Sequence, residues 1–223
     1  MSMFLKKVFM YMFGAVGVTA IASYATLRWG LPLVFTPTGL SPLFYVATFG
    51  GLGLAIFTQA RIWHMKPQTG LLLLGVYAAL IGFVLTPLIA FSLAVNPASI
   101  IHAFFIAALM FACMALFGYK TVKDLSFLGI FLFIGMIGLI LVGIVSMIWP
   151  LGSTVMTIHS AIGVLVFALF TAYGMQFLKN AYNHLQGREQ DKQRLAVLGA
   201  LQLYISFVAM FQFVLSLLNS GHR

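Results

Sequence analysis

Two histidines, His102 and His159, enter apolar stretches of the chain at similar depth. Imidazoles in that setting could ligate a haem or a metal between helices, or respond to pH. Neither sits in a ligand-spacing motif, and a packed or interfacial histidine needs no such role, so no metal and no cofactor is expected. Carboxylates carry most intramembrane ion and proton chemistry, and here they are missing from the apolar stretches. The three acids of the chain, Asp124, Glu189 and Asp191, all fall in polar junctions. Tyr173 and Gln176 flank Gly174 and, with Gln202 and Ser206, could form a neutral polar network, although ordinary helix–helix hydrogen bonding accounts for the same residues. There is no paired acid, no His-Glu metal spacing, no Gly-Lys-Ser/Thr phosphate loop and no serine beside an evident base. The expectation is a protein that is not an enzyme.

The elements that must hold these residues are membrane helices. Of the 223 residues, 62% are hydrophobic and 7% charged, and the mean hydropathy is +1.09. Those values lie outside the range of a soluble domain. The chain has room for seven spans of ~20 residues with short connections, and for no separate soluble domain. The spans read as 8–27, 42–58, 70–95, 98–119, 125–149, 153–178 and 195–218, within one transmembrane domain covering 1–223. The first follows Lys6 and Lys7 in the manner of a signal peptide. It is longer than a signal core and no small-residue cleavage site closes it, so it reads as a span. Ser41 before Pro42 and Asn96 before Pro97 place a capping side chain ahead of a proline. Pro87, inside the third span, should kink it. Gly51, Gly53, Gly82, Gly135, Gly138, Gly143 and Gly163 suit close helix packing. Cys113, the single cysteine, lies in a span, so no intramolecular disulfide can form.

The formal charge is +9, but the basic residues are scattered between spans rather than clustered on one face, which argues for membrane flanks and against nucleic acid. With the N-terminus inside, the cytoplasmic segments hold Lys6, Lys7, Arg61, Lys66, Lys120, Lys123, Lys179, Arg188, Lys192 and Arg194, and the other side only Arg28 and Arg223. That asymmetry puts the N-terminus in the cytoplasm and the C-terminus outside. The longest cytoplasmic loop, 179–194, mixes basic and acidic residues with Gly187. Arg61, closing the second span, reads as an interfacial anchor whose stem follows the apolar surface.

The string FGYKTVKDLSFLG, residues 117–129, lies at the cytoplasmic junction of spans four and five. In it Asp124 can cap the fifth helix while Lys120 and Lys123 anchor the junction at the headgroups. The string resembles the signature of the Bax inhibitor-1 family, here its bacterial YccA-like branch. MYMFGAVGVTAIASY (10–24), SAIGVLVFALFTAYGMQ (160–176) and ALQLYISFVAMFQFVLSLL (200–218) are similar to the family's first, sixth and last spans, so the resemblance covers nearly the whole chain. It implies an all-α membrane protein of the bacterial inner membrane, with six helices around a central seventh. The last span fits a buried place on its own account. Gly199, Gln202, Ser206, Ala209, Gln212, Ser216 and Asn219 share one broad face, which Ile205 and Phe213 interrupt.

The resemblance also implies what such a protein does. YccA-like members are implied to bind and restrain the membrane-bound AAA+ protease FtsH, which makes a non-enzymatic regulatory protein with an FtsH-like partner the first expectation. Calcium-conducting members carry a pair of acids whose positions correspond here to Gly174 and Ser206, with a basic residue, here Arg61, often facing them. Two close carboxylates can share a proton and gate a cation, and Ca²⁺ wants several oxygen ligands. Neither Gly174 nor Ser206 can ionise, so a pH-sensitive cation leak is the alternative, and a haem-binding bundle on His102 and His159 a distant third.

Overall fold

Unbroken runs of apolar, helix-compatible residues leave the backbone no partner but itself in lipid, and the chain answers with helices. The computed structural model describes residues 1–37, 39–149, 151–185 and 188–220. Arg223 and Gly187 lie outside the described residues. The elements are α1 (Ser2–Trp29), α2 (Leu31–Val34), the two-residue strands β1 (Phe35–Thr36) and β2 (Gly39–Leu40), α3 (Pro42–Arg61), a 3₁₀ turn (Ile62–His64), α4 (Pro67–Val95), α5 (Ala98–Lys120), α6 (Ser126–Ile148), α7 (Ser153–His184) and α8 (Glu189–Ser220). Among the described residues, seven helices are long and apolar enough to cross a membrane, all but α2. The protein is an all-α membrane protein.

Several ends differ from the sequence reading. The helices α1, α7 and α8 begin earlier or run later than the apolar stretches, because polar residues continue a helix into the interface at no cost to the ladder. β1 and β2 pair antiparallel, Phe35 opposite Leu40, in a connection that carries no alternating pattern. Ser41 caps α3 as expected, its hydroxyl accepting from the Phe44 N–H at 3.1 Å. At α5 the cap position is Pro97 rather than Asn96. Asn96 still accepts from the Ala98 N–H at 3.1 Å. Helix α4 continues through Pro87.

The chain forms two compact units, Met1–Phe91 with Asn180–Tyr204, and Ser92–Lys179 with residues 205–220. In the first, α1 buries Phe4, Val8, Met12, Ala15, Thr19 and Ser23, a spacing of three and four that makes one helix face. Against that face lies Gly82 of α4, where a Cβ would come within 2.6 Å of the Thr19 carbonyl oxygen. Only glycine lets the two backbones approach so closely. Thr19 is also the polar centre of this unit. Its Oγ1 lies 3.0 Å from the carbonyls of Ala15 and Ala78 and 2.5 Å from the Tyr204 hydroxyl. A carbonyl only accepts, so the single threonine proton goes to one of them and Tyr204 donates to Thr19 Oγ1. The Tyr77 ring meets Tyr204 edge-on at 5.8 Å.

In the second unit α5 buries Ser99, Ala103, Ala107, Phe111, Ala115 and Gly118. At Gly118 any Cβ would overlap the backbone of Ala172 in α7. Phe207 of α8 stands edge-on between Phe104 and Phe111, 5.7 Å from each, and the Phe213 ring covers Gly163. At one end Asn219 donates to Ser92 Oγ at 2.7 Å and accepts from Ser99 Oγ at 3.2 Å. Ser160 and Ser216 meet at 3.1 Å.

No residue of α8 from 194 to 220 is exposed. Over its most apolar stretch 56% of its residues are buried, against 11% for α6. The expected polar face is there, but the apolar face is covered as well. The glycines divide. Gly82, Gly135 and Gly163 would press a Cβ against a neighbour and Gly51 would bring one into contact, whereas Gly53, Gly138 and Gly143 face open space.

Candidate functional site

The junction between α5 and α6 is tied down from α7. Gln176, two residues after Gly174, is buried. Its Oε1 accepts from the Leu125 N–H at 2.8 Å and its Nε2 donates to the Lys123 carbonyl at 2.7 Å. One turn further along α7, Lys179 donates to the Tyr119 carbonyl at 2.9 Å and to that of Thr121 at 3.3 Å, with its ammonium 5.9 Å from the Tyr119 ring centre. The last carbonyls of α5 have no helical donor, and a cation at a helix C-terminus suits them. Asp124 accepts from the Ser126 N–H at 2.9 Å. It closes the start of α6 from one residue ahead of the cap position, which Leu125 occupies. The hydroxyl and backbone N–H of Ser126 hold the Asp124 carboxyl below its usual range. Lys120 and Lys123 are exposed, as headgroup anchors would be.

The residues singled out in the sequence fall in different settings. Gly174 is buried on α7 and Ser206 fully buried on α8. Gln176 holds the loop backbone, and Tyr173 lies over Gly129, where a Cβ would meet its ring at 3.3 Å. Gln202 is half-buried. Arg61 is exposed in the last turn of α3. His102 is exposed on α5, while His159 is half-buried, its Nε2 3.2 Å from the Leu139 carbonyl and its ring edge-on to Phe213 at 5.4 Å. The bond to Leu139 makes Nε2 the protonated nitrogen in the neutral ring, since a carbonyl can only accept. No group of three or more His, Cys, Asp or Glu residues suited to a metal occurs among the described residues.

One feature escaped the sequence reading. The N-terminal turns of α1 and α8 and the last of α7 line a partly open cavity of 230 Å³. Phe4, Tyr11 and Tyr182 line it together with the charged Lys7, Glu189 and Lys192. The helical spacings 4, 7, 11 and 189, 192, 196 were a signal that each set shares one face. Nothing in those spacings says that the two faces meet.

Seven apolar helices, the polar ties within each unit and the covered last helix define a polytopic helical membrane protein. The whole chain, residues 1–223, matches the family model described as inhibitor of apoptosis-promoting Bax1. It is 34% identical over 170 residues to the inner membrane protein YbhL of Escherichia coli, covering 76% of this chain and 71% of YbhL. An uncharacterized protein of Caulobacter vibrioides is 37% identical over 188 residues, 83% of this chain and 72% of the relative. One of Rickettsia prowazekii is 31% identical over 219 residues, 97% and 89%. The chain belongs to the Bax inhibitor-1 family, and with its seven apolar helices it is a multi-pass protein of the bacterial inner membrane.

Proposed function

We propose that the protein is a non-enzymatic regulator that binds another membrane protein through its spans, with a membrane-bound protease of the FtsH kind as the partner and the YccA-like members as its functional kin. One observation carries the reading. Gly14 and Gly17 on α1, Gly50 and Gly53 on α3, and Gly138 on α6 are exposed, and a Cβ at any of them would touch nothing within 4 Å. Glycine lowers helix propensity by about 1 kcal/mol relative to alanine. Inside this chain these five glycines give no packing in return. Gly14 with Gly17 and Gly50 with Gly53, each pair three apart on an exposed helix face, suit the close approach of a foreign helix.

A carboxylate-gated cation pathway has less support, because Gly174 and Ser206 offer no charge and Ser206 is enclosed. In liposomes we expect little Ca²⁺ flux, and none that titrates like a carboxylate. The orientation proposed from the basic residues places the N-terminus in the cytoplasm. A periplasm-active reporter should then work after Arg223 and be silent near Gln190. The reverse would mean that the orientation reading is wrong. The binding reading is tested by pull-down in mild detergent, which should recover the protease without divalent cations. Overproduction should slow turnover of its membrane substrates. Changing Gly50→Leu with Gly53→Leu should abolish recovery without lowering the unfolding midpoint. If the wild type, stably inserted, neither recovers the protease nor slows turnover, the proposal fails.

A further inference from the structure

The cavity among α1, α7 and α8 has the chemistry of a phospholipid headgroup site. Its lining is partly aromatic, with the Phe4 and Tyr182 rings 4.7 Å apart, and includes Ala196. It also carries two cations, Lys7 and Lys192. Lys192 reaches in with its side chain only 19% exposed, while its partner Glu189 is 77% exposed at 2.7 Å. The Lys192 ammonium also lies 5.4 Å from the centre of the Tyr182 ring. Lys7, also in the lining, acts on Glu189 electrostatically but forms no ion pair within 4 Å among the described residues. Two ammonium groups therefore act on one carboxylate, whose own side chain is open to water.

An exposed ion pair of this kind contributes little to stability. An incoming oxyanion can take the place of Glu189 on Lys192 and engage Lys7 as well, gaining a second cation. The volume discriminates between anions. At ~30 Å³ per water, 230 Å³ is far more than a halide needs and has room for a phosphate ester with part of its glycerol. The setting then identifies the source. The cavity lies at the level where α1 begins its apolar run at Val8, and Met3, Met10 and Phe13 are exposed along α1. A ligand with its phosphate on the lysines would lay an acyl chain along that strip, as basic pockets at membrane helix ends do.

We propose that this cavity binds the phosphate of an anionic phospholipid, held by Lys7 and Lys192 with its glycerol against Phe4 and Tyr182. The test uses delipidated full-length protein in nanodiscs of neutral phosphatidylcholine, titrated with phosphatidylglycerol and followed by native mass spectrometry or tryptophan-independent lipid-probe displacement. Each surface-level lysine contributes about fivefold to anionic lipid affinity. Lys7→Gln with Lys192→Gln should therefore weaken phosphatidylglycerol binding about thirtyfold, while Lys66→Gln on another loop should not. Glu189→Gln, which removes the internal competitor, should strengthen binding, a change of sign that a damaged fold cannot imitate. Soluble glycerol 3-phosphate and inorganic phosphate are the second arm and should displace the lipid only weakly. If either soluble anion binds as tightly as the lipid, the occupant is a free phosphate ester and the lipid assignment is wrong. Equal lipid binding by wild type and the double variant, or equal losses in the double and Lys66 variants, would also overturn it.

Discussion

Replacing Gln176 by leucine removes two hydrogen bonds that reach from α7 to the α5–α6 junction, and the structure says how unequal they are. Leu125 is 6% exposed, so its N–H, now 2.8 Å from Gln176 Oε1, would have no water to turn to. A buried donor left unpaired costs about 1–3 kcal/mol. Lys123 is exposed, and its carbonyl can exchange the amide of Gln176 for water at small cost. The expected destabilisation for Gln176→Leu is therefore about 1–3 kcal/mol, nearly all of it from Leu125, and leucine's similar size keeps a cavity contribution out of the measurement. Gln176→Glu separates the two bonds. It keeps an acceptor for the Leu125 N–H but sets a carboxylate oxygen against the Lys123 carbonyl, where two acceptors repel unless the acid takes up a proton. Its stability should rise on acidification, opposite in direction to the wild type. The assay is reversible unfolding in mixed micelles, with amide exchange at Leu125 as the local readout. Unchanged stability and unchanged exchange at Leu125 in Gln176→Leu would refute the reasoning, because the bond would then contribute nothing to holding the loop.

Two further outcomes follow from particular contacts. Gly118→Ala should destabilise by about 1–3 kcal/mol, since its Cβ would overlap the Ala172 backbone and backbone cannot rotate away. Gly138→Ala, with nothing within 4 Å, should be neutral or slightly stabilising through helix propensity, and a reversed order in thermal unfolding would contradict the packing described. Asp124 supplies a pH dependence. Its carboxyl is held below the usual range by Ser126, so the stability it gives is present above the unfolded-state value near 3.8 and is lost as pH falls through the folded one. Acid titration of unfolding should show that loss in wild type and lack it in Asp124→Asn. Identical acid limbs would mean that the cap contributes nothing.

The spans were legible because they are written in composition. A run such as residues 125–149 contains no charge, and hydrophobic thickness alone fixes what it must do. The cap at Ser41 was legible for the same local reason, since capping side chain and Pro42 adjoin in sequence. The ties of the junction were not. Gln176 bonds to backbone groups 51 and 53 residues earlier, and a main-chain partner leaves no mark in residue type. Gln176 could be placed in a polar network from its flanking of Gly174, yet whether it met Gln202 or the loop depended on helix rotation, which an all-apolar surround does not encode. Lys7 and Lys192 were each readable as charges that set orientation. Their meeting over one cavity needed the reversal of the chain between α7 and α8. The glycines show the same limit, because Gly82 and Gly138 look alike in sequence and differ only in what lies opposite.

Helix α8 contributes residues to both units and follows every other span in order of synthesis. Until it emerges, Thr19 waits for Tyr204, Ser160 for Ser216, and Ser92 and Ser99 for Asn219. At roughly 5–20 residues per second, the 32 residues of α8 take about two to six seconds to make. For that interval a ribosome-bound chain with six earlier spans in the bilayer lacks the partners that α8 brings to both units. Newborn copies and finished copies thus differ in a property that membrane insertases and proteases can read, and a chain stalled before Tyr204 stays in the newborn state.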